Sequence, residues 1–202
     1  MSRRVELSPE LARVLNFVGM VGMLFVALSA YWYQFSKQEL PCTLCLLQRV
    51  AMLGVAFGAV MNLKFGPKAR HYGICLVSAV FGGLISMRQT ALHLNPFWDQ
   101  STGEPTLDHA SNPPFGEPVL GLHLYVWGLI VFTIAVLATG IILMYPGQWR
   151  APATPSPKWL ITLTSVGVLI MAVVASAEAL TTFAECGPSA CPNDGSWDWW
   201  LF

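Results

Sequence analysis

Hydrophobic residues run for about twenty positions at a time in five parts of the chain, and polar and charged residues gather in the gaps. An α-helix needs about 20 apolar residues to cross the hydrocarbon core of a bilayer, where it satisfies its own backbone groups. The pattern therefore predicts an all-α fold, a polytopic membrane helix bundle. The five predicted spans are approximately residues 14–36, 44–63, 72–94, 120–145 and 159–180.

The longest gap lies between the third and fourth predicted spans. Residues 95–119 are rich in Pro, Gly and acidic side chains, which predicts an irregular extracytoplasmic loop with at most a short helix. Residues 181–202 form an extracytoplasmic tail. Because no internal repeat divides the chain, we expect a single membrane domain over residues 1–202. We also expect the first span to be retained, since its uncharged run exceeds the apolar region of a typical signal peptide.

The composition agrees with a membrane protein. Hydrophobic residues make up 54% of the chain and charged residues only 11%, whereas a soluble domain carries about twice that share of charge. The sequence contains no P-loop, no dinucleotide fingerprint and no basic nucleic-acid patch. We therefore expect no nucleic-acid partner.

The 11 basic and 11 acidic residues are unevenly distributed along the chain. If the N-terminus is cytoplasmic, the inside segments hold eight basic and two acidic residues, and the outside segments and span ends hold three and nine. Lys and Arg accumulate on the cytoplasmic side of membrane proteins. The charges thus predict a cytoplasmic N-terminus, five spans and an extracytoplasmic C-terminus. The three basic residues outside are Lys37, Arg49 and Arg88.

Four of the five cysteines form two close pairs on the predicted outer side. Cys42 and Cys45 make a C-x-x-C after the first span, and Cys186 and Cys191 follow the last span. An oxidising outer compartment favours disulfides or dithiol/disulfide couples at such pairs. Cys75 lies at the opposite end of the third span, where we expect a small buried hydrophobic side chain.

The cysteine spacing leaves several interpretations open. A disulfide across a C-x-x-C closes too short a loop to add much stability, so this pair is more typical of redox or metal chemistry. The tail pair is either redox-active or a structural staple. A third hypothesis is a non-enzymatic site for a soft metal, Zn or Cu(I), on the four thiolates. The positive charge of Arg49 would oppose that cation.

Local chemistry around the C-x-x-C favours a redox role. Pro41 biases the chain to begin a helix there, which places Cys45 in the first turn, near unpaired backbone N–H groups. A helix start and a nearby cation both favour the thiolate. Arg49 lies one turn further along the same helical face. Alternatively, the Arg49 side chain extends to the lipid headgroups on the outer side of the membrane.

These residues resemble a known family. The segment 41–49, Pro-Cys-Thr-Leu-Cys-Leu-Leu-Gln-Arg, is similar to the signature of the DsbB family of bacterial disulfide oxidases. The segments 89–96 and 120–123 resemble the end of the family's third span and the start of its fourth. The resemblance covers roughly residues 14–145, with four spans in the family's order. The fifth span makes the chain similar to the variant branch sometimes called DsbI.

The resemblance implies a quinone-dependent protein disulfide oxidoreductase in the bacterial inner membrane, with ubiquinone or menaquinone as cofactor. Cys45 would contact the quinone as a thiolate, Cys42 would be its disulfide partner, and Arg49 would stabilise the reduced quinone. Gln89 occupies the place of a quinone-contacting His in some members, and His93 lies one turn further on. Independently of the resemblance, His123 at the start of the fourth span is either a hydrogen-bond donor near the quinone or a structural His with satisfied hydrogen bonds.

The chain departs from the family pattern at two places. Gln48 replaces the usual acidic residue before Arg49, so any role of that carboxylate is absent. The loop 95–119 contains no cysteine, although the family's partner-facing pair lies there, and this second departure changes the expected electron path. We therefore expect Cys186 and Cys191 to be a substitute shuttle pair. They would oxidise a periplasmic thioredoxin-fold dithiol protein, DsbA-like, and pass its electrons to Cys42/Cys45. The alternative is an oxidase that uses only Cys42/Cys45, with the tail disulfide as a staple.

Overall fold

The computed structural model describes residues 8–37, 43–94, 97–98, 105–106, 119–145 and 157–186. Five long helices dominate these residues, and each is long and apolar enough to cross a membrane. The predicted helical membrane bundle is therefore confirmed. The helices are α1 (Pro9–Lys37), α2 (Thr43–Phe65), α3 (Ala69–Leu94), α4 (Leu124–Leu143) and α5 (Lys158–Cys186).

The helices extend beyond most of the predicted apolar spans. For example, α5 continues to Cys186, past the last apolar run, because hydropathy measures the apolar length and polar residues can continue the same helix. In the long loop, β1 (Phe97–Trp98) pairs antiparallel with β2 (Pro105–Thr106). The loop thus contains a short strand pair where the sequence predicted irregular structure or a short helix.

The start of α4 is later than predicted because a tight turn precedes it. Val119 and Leu122 exchange backbone hydrogen bonds of 2.9 and 3.2 Å, and the residues between them, Leu120 and Gly121, both have positive φ. Gly adopts positive φ without steric cost. The indole Nε1 of Trp127 donates to the Val119 carbonyl at 2.9 Å, which ties the turn to the first helical turns of α4.

Helix α2 lies at the centre of the bundle. It packs against α1, α3 and α5, and α3 also packs against α4. Small residues allow close contact between α2 and α3: a Cβ added at Gly58 would lie 2.5 Å from the Cys75 sulfur and 2.8 Å from the His71 carbonyl oxygen. Small residues at helix interfaces are typical of membrane bundles. Cys75 is 4% exposed, which confirms its predicted burial.

The outer surface of the bundle is apolar. Large side chains such as Phe25, Trp32, Val77 and Leu180 are more than two-thirds exposed, as expected for a surface that faces lipid. At one end of the bundle α1, α3 and α5 terminate and α2 and α4 begin; we call this the cysteine end, because Cys45 and Cys186 both belong to it.

Candidate functional site

Cys45 lies in the first turn of α2, as the sequence predicted, and its sulfur contacts α3. The side-chain amide Nε2 of Gln89 donates a hydrogen bond to the Cys45 sulfur at 3.4 Å. The oxygen of the same amide accepts a hydrogen bond from Nε2 of Gln48 at 2.7 Å. The Gln48 bond orients the Gln89 amide so that its N–H groups are directed to the sulfur. An N–H donor favours the charged form of a thiol, as does the start of a helix.

A small polar region continues from Gln89 toward α4. Ser86 precedes Gln89 by one helical turn, and its hydroxyl is buried without a hydrogen-bond partner among the described residues. Gly128 of α4 faces it: a Cβ at that position would lie 3.1 Å from the Ser86 hydroxyl and 3.3 Å from the Gln48 amide oxygen. This region therefore offers an unused hydroxyl donor next to an ordered amide pair.

Arg49 is buried in the bundle. Its side chain is 5% exposed, which excludes the interpretation that it extends to the headgroups. Its Nη1 donates to the Gln34 amide oxygen at 2.6 Å, and its guanidinium carbon lies 4.4 Å from the centre of the Tyr31 ring. A cation over an aromatic face is attracted by the ring. Contacts from α1 thus hold the guanidinium in place.

The acidic partner of Arg49 comes from α5. Glu178 is 4% exposed, and its Oε2 lies 3.7 Å from Nη1 of Arg49. The same oxygen accepts a short hydrogen bond from the Tyr31 hydroxyl. We call Tyr31, Gln34, Arg49 and Glu178 the charged cluster. It joins α1, α2 and α5 near the cysteine end.

Most of the charged cluster was missed from the sequence. The sequence predicts a role for Arg49, whereas Glu178 lies near the end of the last predicted span and Tyr31 and Gln34 lie within the first. The available signal was Glu178 itself, because an ionisable residue within a membrane helix indicates a functional site by default. Its partner could not be identified because Tyr31 and Glu178 are 147 residues apart.

The other candidate residues are less completely described. His123 is the N-cap residue of α4, and its ring stacks on Tyr125 with a centroid distance of 5.3 Å. His93 belongs to the last turn of α3, and Cys186 is the last residue of α5; their side chains lie outside the described residues. Cys42 and Cys191 lie wholly outside them. Within the described part of the chain, no group of three or more His, Cys, Asp or Glu residues could hold a metal ion.

Comparisons with known proteins match α2 and α3, the helices that carry Cys45 and Gln89. The family model described as Disulfide bond formation protein DsbB matches residues 12–144. A Disulfide bond formation protein B of Psychromonas ingrahamii is 26% identical over 79% of this chain and 80% of its own length. The protein of that name from Haemophilus influenzae is 24% identical over 76% of this chain and 80% of its own.

A third relative has a similar identity. Disulfide bond formation protein B 1 of Pseudomonas entomophila is 28% identical over 65% of this chain and 91% of its own length. No solved structure matches the chain significantly. The family match ends before α5, which begins at Lys158. The helix that carries Glu178 therefore lies outside the residues that the family model matches.

Proposed function

The chain belongs to the DsbB family of disulfide bond formation proteins, and from this premise we propose that it is a quinone-linked protein disulfide oxidoreductase of the inner membrane. Its multi-pass helices and its family support a membrane protein of disulfide bond formation. The proposed partner is a periplasmic thioredoxin-fold dithiol protein, DsbA-like. Electrons pass from this partner through Cys186/Cys191 and Cys42/Cys45 to ubiquinone or menaquinone.

The observation that carries this proposal is the position of Cys45. Its sulfur lies in the first turn of α2 and accepts a hydrogen bond from Gln89. Thiol–disulfide exchange proceeds through a thiolate, which attacks a disulfide sulfur. The start of α2 and the hydrogen bond from Gln89 both favour the thiolate form of Cys45. Cys45 is thus prepared to transfer electrons, and Cys42 is proposed as its disulfide partner.

The residues near Cys45 fit a quinone head group. A quinone has two carbonyl oxygens on a flat apolar ring, so it needs hydrogen-bond donors in an apolar setting. Gln89 supplies an amide donor, the buried Ser86 hydroxyl has no partner among the described residues, and Arg49 supplies a positive charge in the same part of α2. When bound, the quinone supplies a two-electron acceptor. His93 is a further proposed contact, on the family resemblance, and His123 is another, because it lies at the start of α4.

The direction of the chain in the membrane is also a proposal. We propose a cytoplasmic N-terminus and a periplasmic C-terminus, supported by the excess of Lys and Arg in the segments next to the opposite end of the bundle. The cysteine end then faces the oxidising compartment. We propose further that residues 1–202 act as a single membrane domain.

The redox role proposed for the tail pair, Cys186/Cys191, distinguishes this chain from an oxidase with one active cysteine pair. Helix α5 ends at Cys186, at the same end of the bundle where α2 begins. In the proposed relay, the reduced partner attacks the Cys186/Cys191 disulfide. The resulting tail dithiol reduces the Cys42/Cys45 disulfide, so that two electrons and two protons move from one pair to the other.

The test is quinone reduction by the purified protein with a reduced thioredoxin-fold partner. We expect the double variant Cys186→Ala, Cys191→Ala to lose at least about tenfold in turnover, because direct attack on Cys42/Cys45 must replace the relay. Cys75→Ala is the matched control, since Cys75 is buried near the start of α3, at the end of the bundle opposite Cys45, and we expect it to retain full turnover. Turnover of the double variant at the wild-type rate would exclude the shuttle role and favour a structural tail disulfide.

A further inference from the structure

Glu178 of α5 is a buried ionisable side chain, and it points into the bundle. Its Oε2 contacts Tyr31 of α1 and Arg49 of α2. Its Oε1 is buried without a hydrogen-bond partner among the described residues. A buried carboxylate is costly unless it is paired. Glu178 therefore depends on the charged cluster for its stability inside the bundle.

This dependence fixes how α5 sits on α2. A shift of α5 by one residue would move Glu178 about 1.5 Å along the axis and turn it by about 100°. Either movement would separate the carboxylate from Arg49 and Tyr31. The lipid-facing side of α5, which includes Leu180 and Leu169, does not add a constraint of this kind. A single buried polar residue can specify helix register in this way.

The register has a consequence at the cysteine end. Helices α2 and α5 run in opposite directions, so residues before Arg49 and residues after Glu178 both lie toward that end. With a rise of about 1.5 Å per residue, Cys45 lies about 6 Å and Thr43 about 9 Å beyond Arg49. Cys186 lies about 12 Å beyond Glu178 on the same scale. The end of α5 therefore reaches the level at which α2 begins, directly after Cys42.

We propose that Glu178 is a positioning residue, which fixes the register of α5 so that the tail cysteine pair meets Cys42/Cys45. This inference rests on the proposed relay and adds the element that aligns its two pairs. The step it serves is an exchange in which the tail dithiol becomes a disulfide and the Cys42/Cys45 disulfide becomes a dithiol. Two electrons and two protons move between the pairs, and no further oxidant takes part.

Cross-linking between the two pairs tests the alignment without quinone or partner. In a parent protein with Cys45→Ala, Cys75→Ala and Cys191→Ala, only Cys42 and Cys186 remain. The rate at which diamide joins them is measured by intact mass and by gel mobility without reductant. Glu178→Met keeps the side-chain length and removes both polar contacts, and we expect it to slow cross-linking about tenfold, because small misplacements of reacting atoms have large rate effects.

Two further variants separate positioning from a general loss of structure. Glu178→Gln keeps an acceptor for Tyr31, and we expect its rate to stay within about threefold of the parent. Leu180→Ala truncates a lipid-facing side chain two residues away and should leave the rate unchanged. Parent-rate cross-linking in Glu178→Met, or an equal loss in Leu180→Ala, would overturn the proposal.

If Glu178→Met does not give folded protein, Tyr31→Phe replaces it as the deciding variant. This change removes one donor to Glu178 from outside α5, and we expect cross-linking to slow about threefold; a parent rate would overturn the proposal. Because the assay contains neither quinone nor partner, its outcome is independent of quinone reduction. A wild-type protein that fails to reduce quinone would reject the proposed function and leave the alignment result intact.

Discussion

Each end of the helix bundle contains a cluster of buried polar side chains, and these two clusters differ in charge and in completeness. At the end opposite the cysteines, Asn16, Asn62 and Tyr72 form what we call the amide cluster. Asn16 donates to the Tyr72 hydroxyl at 2.6 Å and to the Ala12 carbonyl at 2.7 Å, and Asn62 donates to Asn16 at 2.9 Å. The Asn62 oxygen accepts from the Lys68 backbone N–H at 3.1 Å.

The charged cluster lacks this completeness. It places a cation and a carboxylate inside the bundle, 3.7 Å apart, and leaves Oε1 of Glu178 without a partner among the described residues. A neutral network with all its amide groups satisfied stabilises and orients helices. A charged group with an unused atom in a membrane helix indicates function. This difference supports a structural role for the amide cluster and the proposed redox role for the cysteine end.

The largest expected effect comes from breaking the ion pair of the charged cluster. Arg49→Met leaves Glu178 buried without its cation, and we expect a loss of about 3 kcal/mol in the free energy of unfolding. Adding Glu178→Met should recover most of that loss, because both charges are then replaced by apolar side chains. Unfolding in mixed detergent, followed by circular dichroism, measures both changes. A double variant less stable than Arg49→Met would contradict the pairing.

A smaller effect is expected at the Cys45 hydrogen bond. Gln89→Leu removes the N–H donor to the sulfur and leaves the Gln48 amide without its acceptor. We expect the reaction of the reduced Cys42/Cys45 pair with added quinone to slow about tenfold, since a hydrogen bond to a charged group contributes about 1.5 kcal/mol. Stopped-flow measurement gives the rate. Thr90→Val, which alters the neighbouring residue, is the control; equal rates in the two variants would argue against a role for Gln89.

The smallest expected effect lies in the amide cluster. Asn62→Ala removes one side-chain hydrogen bond between α1 and α2 and one to the Lys68 backbone N–H, and we expect it to lower stability by about 1 kcal/mol. The rate of quinone reduction should be unchanged, because the cluster lies at the far end of the bundle. Measuring unfolding and turnover on the same preparation separates the two properties. A loss of turnover with unchanged stability would contradict the structural assignment.

The sequence was sufficient to predict the helices but not their contacts. Five apolar runs report the span count directly, because bilayer thickness sets the helix length. The placement of Cys45 in the first turn of α2 followed from Pro41 and local helix chemistry. The pairing of Gln89 with Cys45 depends on how α3 is rotated against α2, which a hydropathy pattern does not specify. The tight turn before α4 could not be predicted from hydropathy either, because Leu120 belongs to the apolar run that α4 continues.

Glu178 illustrates the same limit more strongly. It lies near the end of the last predicted span, and its contact with Arg49 depends on the packing of a helix distant in sequence. The predicted roles of Cys42, Cys191 and the Cys186 side chain lie outside the described residues. These roles stay predictions and need a chemical measurement.

The most direct test of the central claim is a count of the thiols oxidised and the quinone reduced when the fully reduced protein is oxidised completely. The fully reduced protein is mixed with excess quinone, and the wild type should lose the four thiols of its two pairs and reduce one quinone for every two thiols. The Cys186→Ala, Cys191→Ala variant should keep that ratio with half the yield. The Cys42→Ala, Cys45→Ala variant should reduce none, although its tail dithiol is intact. Quinone reduction by this last variant would contradict the account.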